Sequence, residues 1–373
     1  MAHCLLVPPM LPSGRPGLAD LLPAALAAVR GEENRLGLPR RDGVVVLLVD
    51  GLGADVLAER AGHARSLTGG GRVPRIDTGC PTTTAAALAT LTTGTPPGRH
   101  GLVGYSALDP GTDRVVNQLH GFDEGLPAGW QRMPTVFERA AAEGVRALAV
   151  GPRHHAGTGF TREVLRGAEY VGVRTIADRL DTAVEAARQG PAIVYCYVPE
   201  LDAIAHREGW RSDGWTVALE TLDAAVGDAV ADLARGTSLL VTGDHGMVDV
   251  EPGDHVVADE VPGLLDGVRH LAGEPRMLHL HLEPDRPAED AAGRWRDAMG
   301  RLAEVATRSE AIATGWFGEV DDAVLPRIGD VLVAARGRTA VYATGDARGR
   351  GMVGQHGAWT QAERAVPLLR FGA

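Results

Sequence analysis

Six consecutive apolar residues, Val44 to Val49, end at Asp50-Gly51. An apolar run that does not alternate with polar positions predicts a strand covered on both faces of a parallel sheet. Two more runs share this form. Ala192 to Val198 is followed by Pro199-Glu200-Leu201-Asp202, and Ser238 to Thr242 by Gly243-Asp244-His245-Gly246. A shorter run, Val145 to Val150, ends at Gly151-Pro152. Alanine-rich helical stretches accompany these runs: Leu18 to Arg30, Ala85 to Thr92, Val136 to Glu143, Thr175 to Arg188 and Val217 to Ala234. Strand and helix alternate, which predicts an α/β protein whose mostly parallel central sheet is flanked by helices. Ligands of such sheets gather beyond the carboxyl ends of the strands. Three of the four runs place an aspartate there.

From about Asp254 to Gly345 the pattern changes, and Pro and Gly punctuate short segments such as Met277–Leu282 and Asp330–Ala335. No Ser- or Pro-rich linker precedes this stretch. The expectation is a smaller α+β lobe, residues 255–345, inserted into a core formed by 1–254 and 346–373. The 373 residues are 45% hydrophobic and 23% charged, an ordinary composition for a soluble globular protein. A net charge of −11 and 4% aromatic residues argue against a nucleic-acid polymer as partner. The chain has no lysine, which excludes Schiff-base chemistry and P-loop phosphate binding. No run approaches the ~18 apolar residues of a membrane span. The start, MAHCLLVPPMLPSGRPG, lacks the basic residues and unbroken apolar stretch of a signal peptide, so a cytoplasmic protein is expected. Cys4, Cys80 and Cys196 are too few and too scattered for a disulfide framework.

Taken singly, the candidate residues have structural readings as well as chemical ones. Asp50 could serve as a turn or cap aspartate. Asp202 and His206 stand four apart, on one face of a helix, where they can share a metal ion or bond each other. Asp244 and His245 are adjacent, so joint ligation needs a turn in the backbone, which Gly243 and Gly246 permit. His356 lies in a glycine-flanked loop, Gly354-Gln355-His356-Gly357. The threonines of Pro81-Thr82-Thr83-Thr84 precede an alanine-rich run and read as a helix cap, a place that also suits a phosphoryl group. Together the three Asp, three His and one threonine make two sets of N/O ligands, as a pair of zinc ions would take. His154 and His155 are expected in an exposed loop. His279 and His281 share one strand face with no third ligand near them in sequence.

In the order Val-Asp50-Gly-Leu, Pro81-x-x-Thr84, His100-Gly101-Leu102-Val103, Asp202-x-x-x-His206, Asp244-His245-Gly246-Met247 and Gly-x-His356-Gly, the chain resembles the nucleotide pyrophosphatase/phosphodiesterase branch of the alkaline phosphatase superfamily. The resemblance implies an alkaline-phosphatase-like core and two zinc ions, with manganese or iron as substitutes. Asp50, Thr84, Asp244 and His245 would hold one ion, and Asp202, His206 and His356 the other. Thr84 would attack phosphorus, and water would then hydrolyse the phospho-threonine. The implied substrate is a small-molecule phosphodiester or phosphoanhydride, nucleotides included, with neither a nucleic-acid polymer nor a membrane as partner.

The chain departs from that pattern in two places. Ala85-Ala86-Ala87 stands where many nucleotide-cleaving members have Phe-Pro-Asn, so one wall of the base slot is missing. Tyr197 matches the opposite wall. Tyr105 stands where an asparagine often holds a nonbridging phosphate oxygen, and its hydroxyl is an alternative donor. No arginine lies between Pro81 and Pro97 to meet the extra charge of a monoester, which favours a diester. The alternatives are a phosphomonoesterase or phosphonate hydrolase with the same metals, and a catalytically silent metal-binding protein. A sulfatase would need Cys/Ser-x-Pro-x-Arg, and Cys80 is followed directly by Pro81.

Overall fold

The computed structural model describes residues 16–345 and 349–372. The expectations for the N-terminal segment, Cys4 included, lie outside these residues, as does the start of the second core segment at 346–348. Among the described residues no helix is long and apolar enough to cross a membrane.

Seven strands form the central sheet: β1 (Gly43–Val49), β2 (Arg75–Asp77), β3 (Arg146–Pro152), β4 (Glu169–Val173), β5 (Ala192–Val198), β6 (Thr237–Gly243) and β7 (Ala365–Phe371). Their order across the sheet is β2-β7-β6-β1-β5-β3-β4. The five strands from β6 to β4 run parallel, while β7 pairs antiparallel with β6 and with β2. The continuous apolar run of β1 has a direct cause. Val44, Val46 and Leu48 enter one core with Leu22, Leu91 and Phe137, whereas Val45, Leu47 and Val49 enter a second core with Leu180, Val184 and Leu222. Both faces of the strand are covered, so neither phase of the pleat can be polar.

The helix Thr84–Thr93 lies in the first core and is buried from Ala85 to Thr93. That burial explains its alanine-rich, unpatterned sequence, since a helix covered all round needs no polar stripe. The helix expected at Val217 starts earlier, at Asp213, because the Ser212 hydroxyl caps it by accepting from the Trp215 amide. The stretch from Leu18 opens as a 3-10 turn, Leu18–Asp20, before the α-helix Leu21–Arg30.

Between β6 and β7 the strands Val268–Glu274, Met277–Leu282, Val331–Ala335 and Ala303–Thr307 pair antiparallel in that spatial order. The helix Ala288–Met299 covers one face through Trp295 and Met299. The other face, with Met277, Leu332 and Ala334, joins the first core. Two buried arginines tie this part to the main sheet's loops. Arg276 forms a bidentate pair with Glu363, and Arg327 donates to the carbonyls of Gly101 and Trp130.

Candidate active site

Register sets the site. Val49 of β1 stands level with Val198 of β5 and Gly243 of β6, so the three central strands end together. Asp50, Asp202 and Asp244 therefore meet at one edge, although nearly 200 residues separate the first from the last. Gly51 turns the chain out of β1 at φ 72°, and a Cβ there would press on Asp202 at 3.2 Å. Its amide donates to Asp244 Oδ1 at 3.1 Å. The turn that joint ligation by Asp244 and His245 requires is present. The His245 amide donates to Asp244 Oδ1 at 2.9 Å, and Gly246 packs so close to Ala362 that no side chain fits.

His206 follows Asp202 by one turn on the helix Glu200–Glu208, its Nε2 3.2 Å from Asp202 Oδ2. His356 brings its Nε2 within 3.8 Å of Asp202 Oδ1. His245 places Nε2 3.3 Å from both Asp50 Oδ1 and Asp244 Oδ2, and its ring stacks on that of His356 with centroids 3.5 Å apart. All three imidazoles are held the same way. Nδ1 donates to a backbone carbonyl: His245 to Gly246 at 3.1 Å, His206 to Gly354 at 2.7 Å and His356 to Thr82 at 2.7 Å. Each Nε2 therefore points towards the carboxylates, the orientation in which a neutral imidazole would offer its lone pair to a metal ion.

The three threonines separate by environment. Thr82 is buried, donates to the Ala358 carbonyl and accepts from the Gly357 amide, which fixes the His356 loop. Thr83 is the helix cap, accepting from the Ala86 amide. Thr84 is half-buried, lines a cavity of about 700 Å3 and places Oγ1 3.2 Å from His245 Nε2. His100, from the His-Gly-Leu-Val motif, is a buried brace for this helix. Its Nδ1 accepts from the Leu102 amide, so Nε2 donates to Thr90 at 3.0 Å.

Three carboxylates buried together are electrostatically unsettled. Burial and the neighbouring Asp50 charge push the Asp244 carboxyl well above its usual range, and the same two causes raise Asp202. Burial opposes a charge on His245, yet Asp244 and Asp50 lift it to about 10. Asp50 Oδ1, Asp202 Oδ1 and Asp244 Oδ2 are buried without a hydrogen-bond partner. Orphaned carboxylate oxygens in a crowd of like charge mark a place for cations. Asp50, Asp244 and His245 form one group able to hold a metal ion; Asp202, His245 and His356 form another. His245 belongs to both, so the two groups are one continuous cluster. Carboxylate and imidazole donors suit zinc and its divalent neighbours.

Tyr197 and Tyr105 both line the cavity. The Tyr197 hydroxyl donates to Asp50 Oδ2, and its ring stacks on Tyr195. Tyr105 is 43% exposed, and its amide donates to Glu274 Oε2 at 3.0 Å. His154 is exposed as expected, but His155 is half-buried and lines the cavity 5.8 Å from the Tyr197 ring, because the turn carrying it follows β3 at the same sheet edge. His279 and His281 are buried in the antiparallel sheet and join no metal-competent group among the described residues. Glu274 also faces the cavity, with Oε1 buried and unpartnered. Sequence reasoning missed it, since no motif or spacing marks it.

The fold has counterparts in known proteins. A phosphopentomutase of Hahella chejuensis is 27% identical over 143 residues, 36% of this chain and 33% of that enzyme, so the match spans a third of the relative's length. Phosphonoacetate hydrolase from Sinorhizobium meliloti 1021, in complex with phosphonoacetate, superposes with a TM-score of 0.70 at 18% identity, over 88% of this chain and 90% of that one. Murine ectonucleotide pyrophosphatase/phosphodiesterase 5, as an inactive threonine-to-alanine form in complex with AMP, gives 0.66 at 16% identity over 88% of each chain. Those likenesses establish an alkaline-phosphatase-like fold. Residues 44–359 match the sequence family described as type I phosphodiesterase/nucleotide pyrophosphatase, and the chain belongs to that family.

Proposed function

We propose that the protein is a two-metal phosphodiesterase that cleaves a small-molecule phosphodiester or phosphoanhydride through a phospho-threonine at Thr84. The observation that carries this reading is the position of Thr84 Oγ1, 3.2 Å from His245 Nε2 and exposed to the cavity beside the buried carboxylates. Asp50, Asp244 and His245, with Thr84, would hold one zinc ion; Asp202, His206 and His356 would hold the other. Two such ions supply Lewis-acid stabilisation of the attacking and leaving oxygens in an in-line displacement.

The chain's own residues do the rest. His356 bonds the Thr82 carbonyl, which fixes the loop ahead of Thr84 against the cluster. Thr84 stands in the first turn of its helix, whose positive end favours an anionic phosphoryl group there. Attack by Oγ1, with loss of its proton to solvent, forms the O–P bond as the bond to the departing alkoxide or phosphate breaks, and a departing alkoxide takes up a proton from solvent. Water then attacks the phospho-threonine and restores the hydroxyl. AMP in the threonine-to-alanine form of the murine neighbour supports a small phosphate ligand here. The lobe at 255–345 contributes Glu274 and Pro275 to the cavity wall, and we assign it a part in substrate choice.

A phosphonate hydrolase is the second reading, favoured by the likeness to phosphonoacetate hydrolase. Among the described residues that line the cavity there is no arginine to meet a second negative charge, which favours the diester. Hydrolysis of a chromogenic diester, its matching monoester and phosphonoacetate by zinc-loaded protein tests the choice, and faster release of phosphate from phosphonoacetate favours the second reading. A diester preference is expected. A monoester preference overturns the reading.

A further inference from the structure

The cavity is far larger than a phosphoryl group needs, at about 700 Å3. It runs from Thr84 over Leu88, one turn on along the same helix face, to Phe160, Val164 and Leu165, with Leu119 and Met352 completing the apolar wall. Four of the polar side chains on this lining are already engaged inside the protein. The Tyr197 hydroxyl donates to Asp50, and that of Tyr170 donates to the Pro152 carbonyl at 2.9 Å. The Thr158 hydroxyl donates to Thr161 Oγ1 at 3.0 Å, and the Gln355 amide donates to the Tyr342 hydroxyl at 2.7 Å. A nucleobase edge laid against the apolar wall of Leu88, Phe160 and Leu165 would lose its water without gaining partners from those side chains. On the described lining a second phosphate or a carboxylate would find no arginine, and the chain has no lysine, which leaves the imidazoles of His120 and His155 as the basic groups outside the metal cluster. Glu274 Oε1 is unpartnered, but it offers no positive charge.

Resting on the phosphodiesterase reading, we infer that the substrate's second ester group is an uncharged apolar alcohol, alkyl or aryl, seated against Leu88, Phe160 and Leu165. The missing half of the base clamp fits this assignment. Ala85, Ala86 and Ala87 are themselves buried in the helix's own packing and leave the wall to Leu88.

The test uses p-nitrophenyl phosphodiesters whose second ester is methyl, propyl, hexyl, phenyl or the 5′-thymidine group, compared by kcat/KM. Expected is a rise of about fourfold per added methylene, the worth of fully burying one such group. The hexyl and phenyl esters should exceed the thymidine ester, and Phe160→Ala should lower the hexyl-to-methyl ratio. A second readout needs no turnover. Binding of O-methyl alkylphosphonates, methyl to hexyl, to Thr84→Ala protein should tighten with chain length. A flat series in both readouts, or a preference for the thymidine ester, overturns the apolar-alcohol assignment and leaves the phosphodiesterase reading standing. No turnover of any ester, with binding that still tightens along the series, supports the apolar seat and sinks the proposed reaction. No turnover and flat binding overturn both.

Discussion

At the scale of single residues, the three imidazoles and Asp50 among the proposed metal ligands are each aimed by a contact of their own. Aspartates at strand ends and the i,i+4 pair Asp202–His206 were legible because strand termini and helical spacing are local properties. The carbonyls of Gly246, Gly354 and Thr82, which fix the three imidazoles, were not, because two of those contacts join residues at least 148 positions apart. The same holds for Tyr197, whose hydroxyl orients Asp50 across 147 positions. Tyr197→Phe should therefore weaken metal binding by about tenfold, the usual effect of losing a partner behind a ligand. Titration of apo-protein with zinc reads this, and unchanged affinity would show that the hydroxyl contributes nothing to the ligand. Replacing His206 with Ala should lower bound metal from two ions per chain towards one. Elemental analysis of the purified variant decides it, and an unaltered content removes His206 from the ligand set.

At the scale of elements, two buried arginines hold the pieces that carry the site. Arg179 is fully buried, donates to the Tyr197 carbonyl at 2.7 Å and pairs with Glu200, joining the end of β5 to the start of the helix bearing Asp202. Arg276 and Glu363 are both fully buried, and Glu363 also accepts from the Ala358 amide at 3.1 Å, beside the His356 loop. Glu363→Gln leaves the Arg276 charge unpaired in the interior and should cost about 3–5 kcal/mol of stability, measured by urea unfolding. A loss within experimental error would mean the pair is solvated in solution. Neither arginine stands out in a chain where every basic side chain is arginine, so only the folded contacts distinguish them. The helices, by contrast, were readable except at their ends. The caps at Thr83 and Ser212 set those ends through one hydroxyl each.

At the scale of the whole molecule, the parallel sheet was legible because β1, β5 and β6 are buried on both faces and carry runs that admit no polar phase. The antiparallel sheet at 268–335 was visible only as a change of pattern. Its buried His279 and His281 gave no sign in sequence of facing inward. Burial, the leading cause for all three, holds His100 and His279 down to about 3 and His281 to about 4. In the unfolded chain each takes up a proton near pH 6.5, while the folded chain does not. The unfolded state thus binds more protons below that pH, and stability falls as pH drops from about 6.5 towards 4. Each group contributes a slope of about 1.4 kcal/mol per pH unit in that window. His279→Gln should be less steep than the parent by about one such increment in metal-free unfolding, and identical slopes would contradict the buried-neutral assignment.

Every step of the proposed reaction starts from Thr84 as the group that attacks phosphorus. Thr84→Ala protein, loaded with zinc and assayed on a chromogenic phosphodiester with its metal content measured alongside, tests that most directly. Turnover should fall by at least about a thousandfold, as expected on losing a nucleophile, with the bound metal largely retained. Wild-type turnover in a variant that keeps its metal would contradict it.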